Sequence, residues 1–317
     1  MSLALLFPGQ GSQRPGMLRA LPRSPAIMAT VDQSRSRLSD LGLTDDIDTP
    51  AALRHTTNAQ LALLIAGVAY ARALTADHGL TPAFVAGHSV GAFAAAVTAG
   101  VITFDDALST VALRGRLMEE ACAERDWGMA AVRGLPTRLA SQVAEQGSTV
   151  DDPVWVANVN TATQTVISGT ATGLERAAGL AERLGASAFD RLDVAVASHC
   201  PIQNDTARRL AVHLAEVPRR APTMRYLTNT RGRATMSADR VVDDLAQAVA
   251  HPVQWYDATR LMGELGATRA VEMPPGHVLT RLMASAVPAM AAISLDDADI
   301  ESAVRRSTKR SQILTES

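Results

Sequence analysis

The chain has 317 residues, of which 47% are hydrophobic, enough to bury one large core or two smaller ones. Its formal net charge of -2 argues against a nucleic-acid-binding protein, and its two cysteines, Cys122 and Cys200, provide neither a disulfide framework nor a CxxC metal site. We find no uninterrupted apolar run of membrane-spanning length and no signal-peptide pattern at residues 1–7, so we expect a cytoplasmic protein that binds neither nucleic acid nor membrane.

The first part of the chain alternates strand and helix patterns, as a parallel α/β sheet does. A short apolar strand at 3–7 runs into a glycine-rich turn, and a second apolar strand covers 83–86. Long helices are predicted at 60–74 and 104–123, and a further helix directly follows the second strand. The sequence therefore predicts a β-α-β core at its start.

From about residue 125 the elements become shorter. The predicted order is a strand at 129–133, a helix at 137–145, strands at 155–159 and 165–168, a helix at 172–184 and a strand at 186–194. This β-α-β-β-α-β order is that of a ferredoxin-like unit.

Core-like elements return after this unit. Strands are predicted at 225–228 and 269–273, helices at 238–250 and 256–265, and a polar tail from about Ser302. We therefore predict an α/β protein in which a small domain at 125–196 is inserted into a large domain made of 1–124 and 197–317. A cleft between the two would be the natural substrate site.

A serine between two glycines follows the second strand, in the sequence Gly87-His88-Ser89-Val90-Gly91. This is the form of a nucleophile elbow, a tight strand-to-helix turn for which the glycines leave room. Backbone N–H groups at the start of the following helix can meet a developing oxyanion. Ordinary glycine-serine loops share the pattern, so the rest of the chain has to decide.

Further motifs accompany the elbow in a fixed order. They are Phe7-Pro8-Gly9-Gln10-Gly11-Ser12-Gln13, Leu113-Arg114-Gly115-Arg116, Asn158-Val159-Asn160, Ala197-Ser198-His199-Cys200, Pro252-Val253-Gln254-Trp255 and Glu272-Met273-Pro274-Pro275-Gly276-His277. Together they resemble the malonyl-CoA:acyl-carrier-protein transacylase family over nearly the whole chain. The resemblance implies a hydrolase-like α/β core with a parallel sheet plus an inserted ferredoxin-like α+β subdomain, in agreement with the element order.

The resemblance also implies a role for each matching residue. Ser89 would be the nucleophile that takes the acyl group from a thioester, with His199 as its general base. A backbone carbonyl near Ala248, rather than an aspartate, would orient the imidazole. Backbone N–H groups of Gln10 and Val90 would form the oxyanion hole.

Arg114 would determine the substrate class, because a planar guanidinium can hold the carboxylate of a malonyl group with two hydrogen bonds. Gln60, Asn160 and His88 are expected beside the substrate. Taken alone, Arg114 would be interpreted as a solvated helix arginine and His199 as a structural histidine; their joint occurrence with the elbow favours the functional roles.

Two departures from the general family pattern guide the assignment within the family. Ala92 follows the elbow where fatty-acid-synthesis transacylases commonly have glutamate, and Glu272 opens a late motif that commonly begins with valine. These positions look more like the epsilon (transacylase) subunit of malonate decarboxylase. The resemblance then implies malonyl-CoA as substrate, no bound cofactor or metal, and the small decarboxylase carrier subunit as the acyl carrier protein partner.

Alternatives stay open at this point. A fatty-acid-synthesis malonyl transacylase would use the same residues, and methylmalonyl could replace malonyl. A serine thioesterase or hydrolase should offer an acidic triad member between Ser89 and His199, where Asp190 and Asp193 lie in the predicted small domain and are poorly placed. A non-catalytic scaffold would be expected to lose some of Ser89, His199 and Arg114.

Overall fold

The computed structural model describes residues 2–308, which form ten strands and eleven α-helices. The strands are β1 (Ser2–Phe7), β2 (Phe84–Gly87), β3 (Trp127–Arg133), β4 (Val154–Thr161), β5 (Gln164–Thr170), β6 (Ala188–Arg191), β7 (Arg225–Leu227), β8 (Ala234–Thr235), β9 (Ala267–Glu272) and β10 (Ala291–Ser294). The helices are α1 (Pro25–Asp40), α2 (Thr56–Arg72), α3 (Gly91–Thr98), α4 (Phe104–Ala121), α5 (Thr137–Gly147), α6 (Ala171–Arg183), α7 (Asn204–Ala215), α8 (Ala238–Gln247), α9 (Trp255–Glu264), α10 (Val278–Ala286) and α11 (Ile300–Thr308).

The larger sheet has six strands in the order β10-β9-β1-β2-β7-β8, all parallel except β8. Its central strands consist of buried, mostly aliphatic residues, as expected for strands covered on both faces. Phe7 pairs with Gly87, and Ala86 pairs with Leu227. The carboxyl ends of β1, β2 and β7 therefore meet at one edge of the sheet, where α/β proteins place their sites.

Helix α2 forms the centre of the layer that covers this sheet. It continues into a π-helical turn at Ala73–Asp77, and the combined segment Thr56–Asp77 is long and apolar enough to cross a membrane. However, 78% of its most apolar window is buried inside the protein. Its apolar surface is covered by α1, α3 and α4, as in the core helix of a globular protein.

The smaller sheet is antiparallel, with four strands in the order β4-β5-β3-β6. Helices α5 and α6 pack on it around a separate apolar core that includes Val132, Ile167 and Leu174. Two backbone hydrogen bonds join β4 to the segment between α8 and α9. They run from Val159 N to Val253 O (2.8 Å) and from Val253 N to Ala157 O (2.9 Å). The predicted α/β fold is confirmed.

Several elements were absent from the sequence prediction. Helices α7 and α10 and strand β10 lie in segments to which we assigned no regular structure, and helical spacing near Met17 did not locate α1, which begins at Pro25. In α1 the buried positions include Thr30 and Ser34, so an apolar repeat is hard to detect. The predicted polar tail is wrong for 302–308, which belong to α11 and bury Ala303; residues 309–317 of that tail lie outside the described residues.

A close approach between α2 and α4 depends on Gly115. A Cβ atom at this position would lie 2.4 Å from Thr57 Cα and 2.7 Å from its Oγ1. Such distances are below any real van der Waals contact, so the two helices touch through the backbone. This approach brings the preceding residue, Arg114, toward the core, where it is buried beside α2.

Replacing Gly115 by alanine is expected to destabilise the protein by about 1 to 3 kcal/mol, because the backbone of α2 must move to admit the methyl group. Gly179 in α6 is a matched control, since a Cβ there would meet only the flexible end of Arg183, at 3.5 Å. Gly179→Ala should stabilise by about 0.5 to 1 kcal/mol through helix propensity. Guanidinium unfolding curves measure the free energy of unfolding of both variants. A Gly115→Ala variant as stable as the parent chain would contradict the close approach of α2 and α4.

Candidate active site

The serine of the elbow lies in a backbone turn that only its neighbouring glycines permit. Strand β2 ends at Gly87, α3 begins at Gly91, and Ser89 between them has a φ of 54°. A Cβ on Gly87 would lie 2.0 Å from the carbonyl carbon of Gly91, and a Cβ on Gly91 would lie 2.2 Å from Phe7 O. The prediction that these glycines leave room for the turn is confirmed.

His199 is the second residue held in a left-handed conformation, with a φ of 61°. Within residues 2–308, Ser89 and His199 are the only non-glycine residues with positive φ, a conformation that costs about 1 to 3 kcal/mol each and concentrates at functional sites. Hydrogen bonds hold both the backbone and the ring of His199. Its backbone N–H donates to Val249 O at 2.7 Å, and its ring Nδ1 lies 2.5 Å from Ala248 O.

These contacts set the protonation state of the imidazole. A carbonyl oxygen can only accept, so Nδ1 carries the proton that it donates to Ala248 O. The other nitrogen, Nε2, is then free to accept from Ser89 Oγ at 2.8 Å. This is the arrangement of a serine hydroxyl and its general base.

Burial, followed by the positive charge of Arg114, lowers the pKa of His199 to about 3. Both causes disfavour the imidazolium ion, so the ring is neutral at physiological pH and able to take a proton. No carboxylate makes a hydrogen bond or ion pair with His199 anywhere in residues 2–308. Asp190, one of the acidic residues considered for a triad, instead pairs with Arg133 at 3.1 Å on the surface.

Arg114 brings a positive charge to the same hydroxyl. Its Nη2 donates to Ser89 Oγ at 3.2 Å and its Nη1 donates to Gln60 Oε1 at 2.6 Å. The side chain is 1% exposed, and burial lowers its pKa to about 10, which leaves it charged at neutral pH. Among the described residues no carboxylate pairs with Arg114, so its charge is buried without a counterion.

The loop after β1 completes one side of the site. Gln60 Nε2 donates to Gln10 Oε1 at 3.3 Å, and Gln10 Nε2 donates to Thr56 Oγ1 at 3.5 Å. In the part of the chain that the structure covers, the backbone N–H groups of Gln10 and Val90 donate to no protein acceptor. They are therefore available as the oxyanion donors that the sequence predicts.

The predicted residues His88 and Asn160 meet each other rather than Ser89. The ring of His88 donates from Nε2 to Asn160 Oδ1 at 3.1 Å and lies 5.4 Å from the ring of Trp255. Asn160 belongs to β4, so this contact joins the smaller sheet to the elbow. Whether the two residues touch a substrate stays a prediction.

Sequence reasoning missed Asn229 and the buried Asp244 behind it. Asn229 Oδ1 accepts from the N–H of Ser89 at 2.9 Å, and Asn229 N donates to Asp244 Oδ2 at 2.8 Å. The available signal was its position, because Asn229 follows β7 at the carboxyl edge of the sheet, next to β2. A polar residue there points to the site even without a motif.

The two cysteines are buried, and burial raises the pKa of the Cys200 thiol to about 12. Cys200 is therefore protonated although it adjoins His199, and it is no nucleophile. The described residues contain no group of three or more His, Cys, Asp and Glu side chains arranged to hold a metal ion.

A serine hydroxyl bonded to a neutral histidine, with backbone N–H groups nearby that bond to no protein acceptor in residues 2–308, is the arrangement expected of an enzyme of acyl transfer or hydrolysis on an α/β fold. The sequence matches the acyl transferase domain family over residues 4–310, and the chain belongs to that family. It is accordingly an acyltransferase enzyme.

Individual relatives agree with this assignment. The malonyl CoA-acyl carrier protein transacylase of Escherichia coli strain K12 is 36% identical over 298 residues, which cover 93% of this chain and 96% of the relative. The solved malonyl CoA-acyl carrier protein transacylase of Coxiella burnetii superimposes with a TM-score of 0.91 at 32% identity and covers 98% of each chain. A malonyl-transacylase solved in complex with a type II PKS acyl-carrier protein has a TM-score of 0.88 at 32% identity, covering 96% of this chain and 100% of that chain.

The low pKa of His199 generates a prediction about pH. The base acts in its neutral form, and a pKa of about 3 keeps it neutral far below its ordinary range. Between about pH 5.5 and about pH 8, the second-order rate constant for acylation of Ser89, measured at low thioester so that it reports the free enzyme, should change by less than about twofold, whereas an unshifted imidazole would lose about tenfold. Rapid-quench measurement of the acyl-enzyme gives this rate. Circular dichroism at each pH provides the control for folding, and a tenfold decline on acidification would refute the shift.

Proposed function

We propose that the enzyme transfers a malonyl group from malonyl-CoA to the thiol of an acyl carrier protein through a malonyl-serine intermediate. The observation that carries the proposal is the unpaired guanidinium of Arg114, buried 3.2 Å from Ser89 Oγ. An uncompensated buried charge is costly, and an acyl chain ending in a carboxylate would neutralise it in place. A neutral acyl chain such as acetyl would leave the charge unpaired.

The first half-reaction begins with proton transfer from the Ser89 hydroxyl to His199 Nε2. The oxygen attacks the thioester carbonyl carbon, and the oxyanion that forms is stabilised by the N–H groups of Gln10 and Val90. The carbon–sulfur bond then breaks, and the imidazolium returns its proton to the departing CoA sulfur. The products are malonyl-Ser89 and free CoA.

The second half-reaction reverses these steps with a different thiol. His199 takes the proton of the carrier thiol, the sulfur attacks the malonyl ester, and the proton passes back to Ser89 as its carbon–oxygen bond breaks. Because CoA leaves before the carrier thiol enters, the kinetics should be ping-pong. Within residues 2–308 His199 bonds to no carboxylate, which supports transfer over a serine hydrolase or thioesterase with an acidic triad.

The domain division and localisation belong to the proposal. The order β4-β5-β3-β6 with α5 and α6 supports a ferredoxin-like subdomain at 125–196, inserted into a hydrolase-like domain made of 1–124 and 197–317. We expect this enzyme in the cytoplasm, working without a bound cofactor or metal.

For the acceptor we propose the carrier subunit of a malonate decarboxylase. Ala92, buried in α3, leaves the position after the elbow without a carboxylate, in contrast to the common fatty-acid-synthesis pattern. Glu272 has a structural role, since its carboxylate accepts from Leu279 N at 2.9 Å and Thr280 N at 2.6 Å and so caps α10. The names of the relatives favour a second candidate, a malonyl transacylase that serves a fatty-acid-synthesis acyl carrier protein.

Intact-protein mass spectrometry after brief mixing with malonyl-CoA tests the central proposal. A malonyl-sized adduct that requires Ser89 and disappears on addition of a carrier thiol is expected. Acetyl-CoA and methylmalonyl-CoA, run in parallel, define the acyl group, and Ser89→Ala is the control. Steady CoA release without an adduct would indicate hydrolysis instead.

Replacing Arg114 by alanine should lower kcat/KM for malonyl-CoA by about 100-fold or more, because the malonyl carboxylate loses a desolvated charge-assisted partner. Its ratio of malonyl to acetyl use should fall by a similar factor. Arg116→Ala is the matched control, since Arg116 lies on the same helix, is exposed, and pairs with Glu120 at 3.9 Å. If the ratio of malonyl to acetyl use is unchanged in Arg114→Ala, then Arg114 does not bind the malonyl carboxylate.

Transfer assays with two carriers decide the acceptor. One carries the phosphopantetheine arm of a fatty-acid-synthesis acyl carrier protein, and the other carries the modified dephospho-CoA arm of the malonate decarboxylase subunit. We expect the malonyl-enzyme to discharge faster to the decarboxylase carrier by about tenfold or more, a difference of about 1.4 kcal/mol. Faster discharge to the phosphopantetheine carrier would contradict the malonate decarboxylase assignment and would favour a malonyl transacylase of fatty-acid synthesis.

A further inference from the structure

Asn229 holds the backbone of the elbow on the two sides of His88, immediately before Ser89. Its Oδ1 accepts from Ser89 N–H at 2.9 Å, and its Nδ2 donates to Gly87 O at 2.9 Å. The residue is 3% exposed, so these bonds are shielded from competing water. One side chain thus brackets His88 and bonds both the backbone acceptor and the backbone donor that lead into Ser89.

The backbone of Asn229 is itself held by hydrogen bonds to Asp244 and Gln254. Asp244 in α8 accepts from four donors, which are Asn229 N at 2.8 Å, Thr230 N at 2.9 Å, Thr230 Oγ1 at 2.7 Å and Tyr226 Oη at 3.1 Å. The carbonyl of Asn229 also accepts from Gln254 N at 2.7 Å. Both backbone polar groups of Asn229 are therefore bonded, and its side chain is aimed by a rigid support.

The bond to Asn229 also gives the backbone N–H groups of Ser89 and Val90 different roles. With its N–H committed to Asn229 Oδ1, Ser89 cannot offer that group to an oxyanion. The next amide, that of Val90, has no protein acceptor within residues 2–308 and lies at the start of α3. Asn229 thereby separates the donor that shapes the turn from the donor that faces the reaction.

We propose that Asn229, supported by Asp244, is a positioning residue that holds Ser89 in its left-handed conformation and so aims Oγ at His199 and the acyl carbon. The inference rests on the proposed role of Ser89 as nucleophile. Without Asn229 the turn, which strains a non-glycine residue at a φ of 54°, would relax toward an ordinary backbone conformation. Asn229 does not contact the buried Arg114, so substrate affinity should be nearly independent of it.

Single-turnover acylation by malonyl-CoA, followed by rapid quench and intact mass, tests this role. For Asn229→Ala the maximal acylation rate constant should fall by about 10- to 100-fold, because small misplacement of a nucleophile is costly. The malonyl-CoA concentration at half-maximal rate should stay within about threefold of that of the parent enzyme. The final fraction of acylated enzyme should also stay the same, since it counts folded sites, whereas the rate constant reports their geometry.

Thr259→Val is the control for an unspecific loss of a buried hydrogen bond. Thr259 is fully buried in α9, and its hydroxyl donates only within that helix, to Tyr256 O at 2.9 Å; the parent rate is expected. Asn229→Ser, which keeps a smaller polar group at the position, provides a second test if the alanine variant does not fold, with the same expected fall in rate.

The outcomes separate the two levels of the proposal. A parent-like rate constant in a folded Asn229 variant, or a loss confined to the acylated fraction, would overturn the positioning role while leaving the malonyl-serine mechanism intact. A parent enzyme that forms no Ser89-dependent adduct would overturn the proposed function and the positioning role with it.

Discussion

The backbone turn through Ser89 is the constraint on which the rest of the site depends. Three backbone segments crowd into it, the end of β2, the start of α3 and the end of β1, with room for no side chain at Gly87 or Gly91. The parallel pairing of β1 with β2 brings these segments together, since Phe7 lies opposite Gly87. Strand pairing thus brings the loop after β1, which contains Gln10, to the turn through Ser89 before any side chain contributes.

Two buried side chains, those of His199 and Arg114, bond to the Ser89 hydroxyl, and the charge of Arg114 acts on His199. Burial and, after it, the charge of Arg114 keep His199 neutral, and within residues 2–308 no carboxylate pairs with Arg114. A carboxylate beside the histidine would compete for that guanidinium. Because the Ala248 carbonyl, and not a carboxylate, accepts from His199, the charge of Arg114 is left for the acyl carboxylate that we propose it binds.

Much of this arrangement could be predicted from the sequence, for identifiable reasons. The elbow glycines, Gln10, Arg114 and His199 belong to short motifs whose spacing is specific in combination, and buried parallel strands give continuous apolar runs. Helices such as α1 escaped prediction because polar residues occupy part of the buried face. Asn229 and Asp244 escaped because their role arises from the strand order β1-β2-β7, which joins segments more than a hundred residues apart.

The short bridge between β4 and Val253 bears on how the molecule can be divided. Val253 lies five residues after Ala248, whose carbonyl orients His199, and the next residue, Gln254, donates to the carbonyl of Asn229. Hydrogen bonds thus connect the smaller sheet to the segment of chain that also contacts His199 and Asn229. A chimaera that exchanged only 125–196 between relatives would pair a strand from one relative with the 252–254 segment of the other. The segment 252–254 should therefore be exchanged together with 125–196.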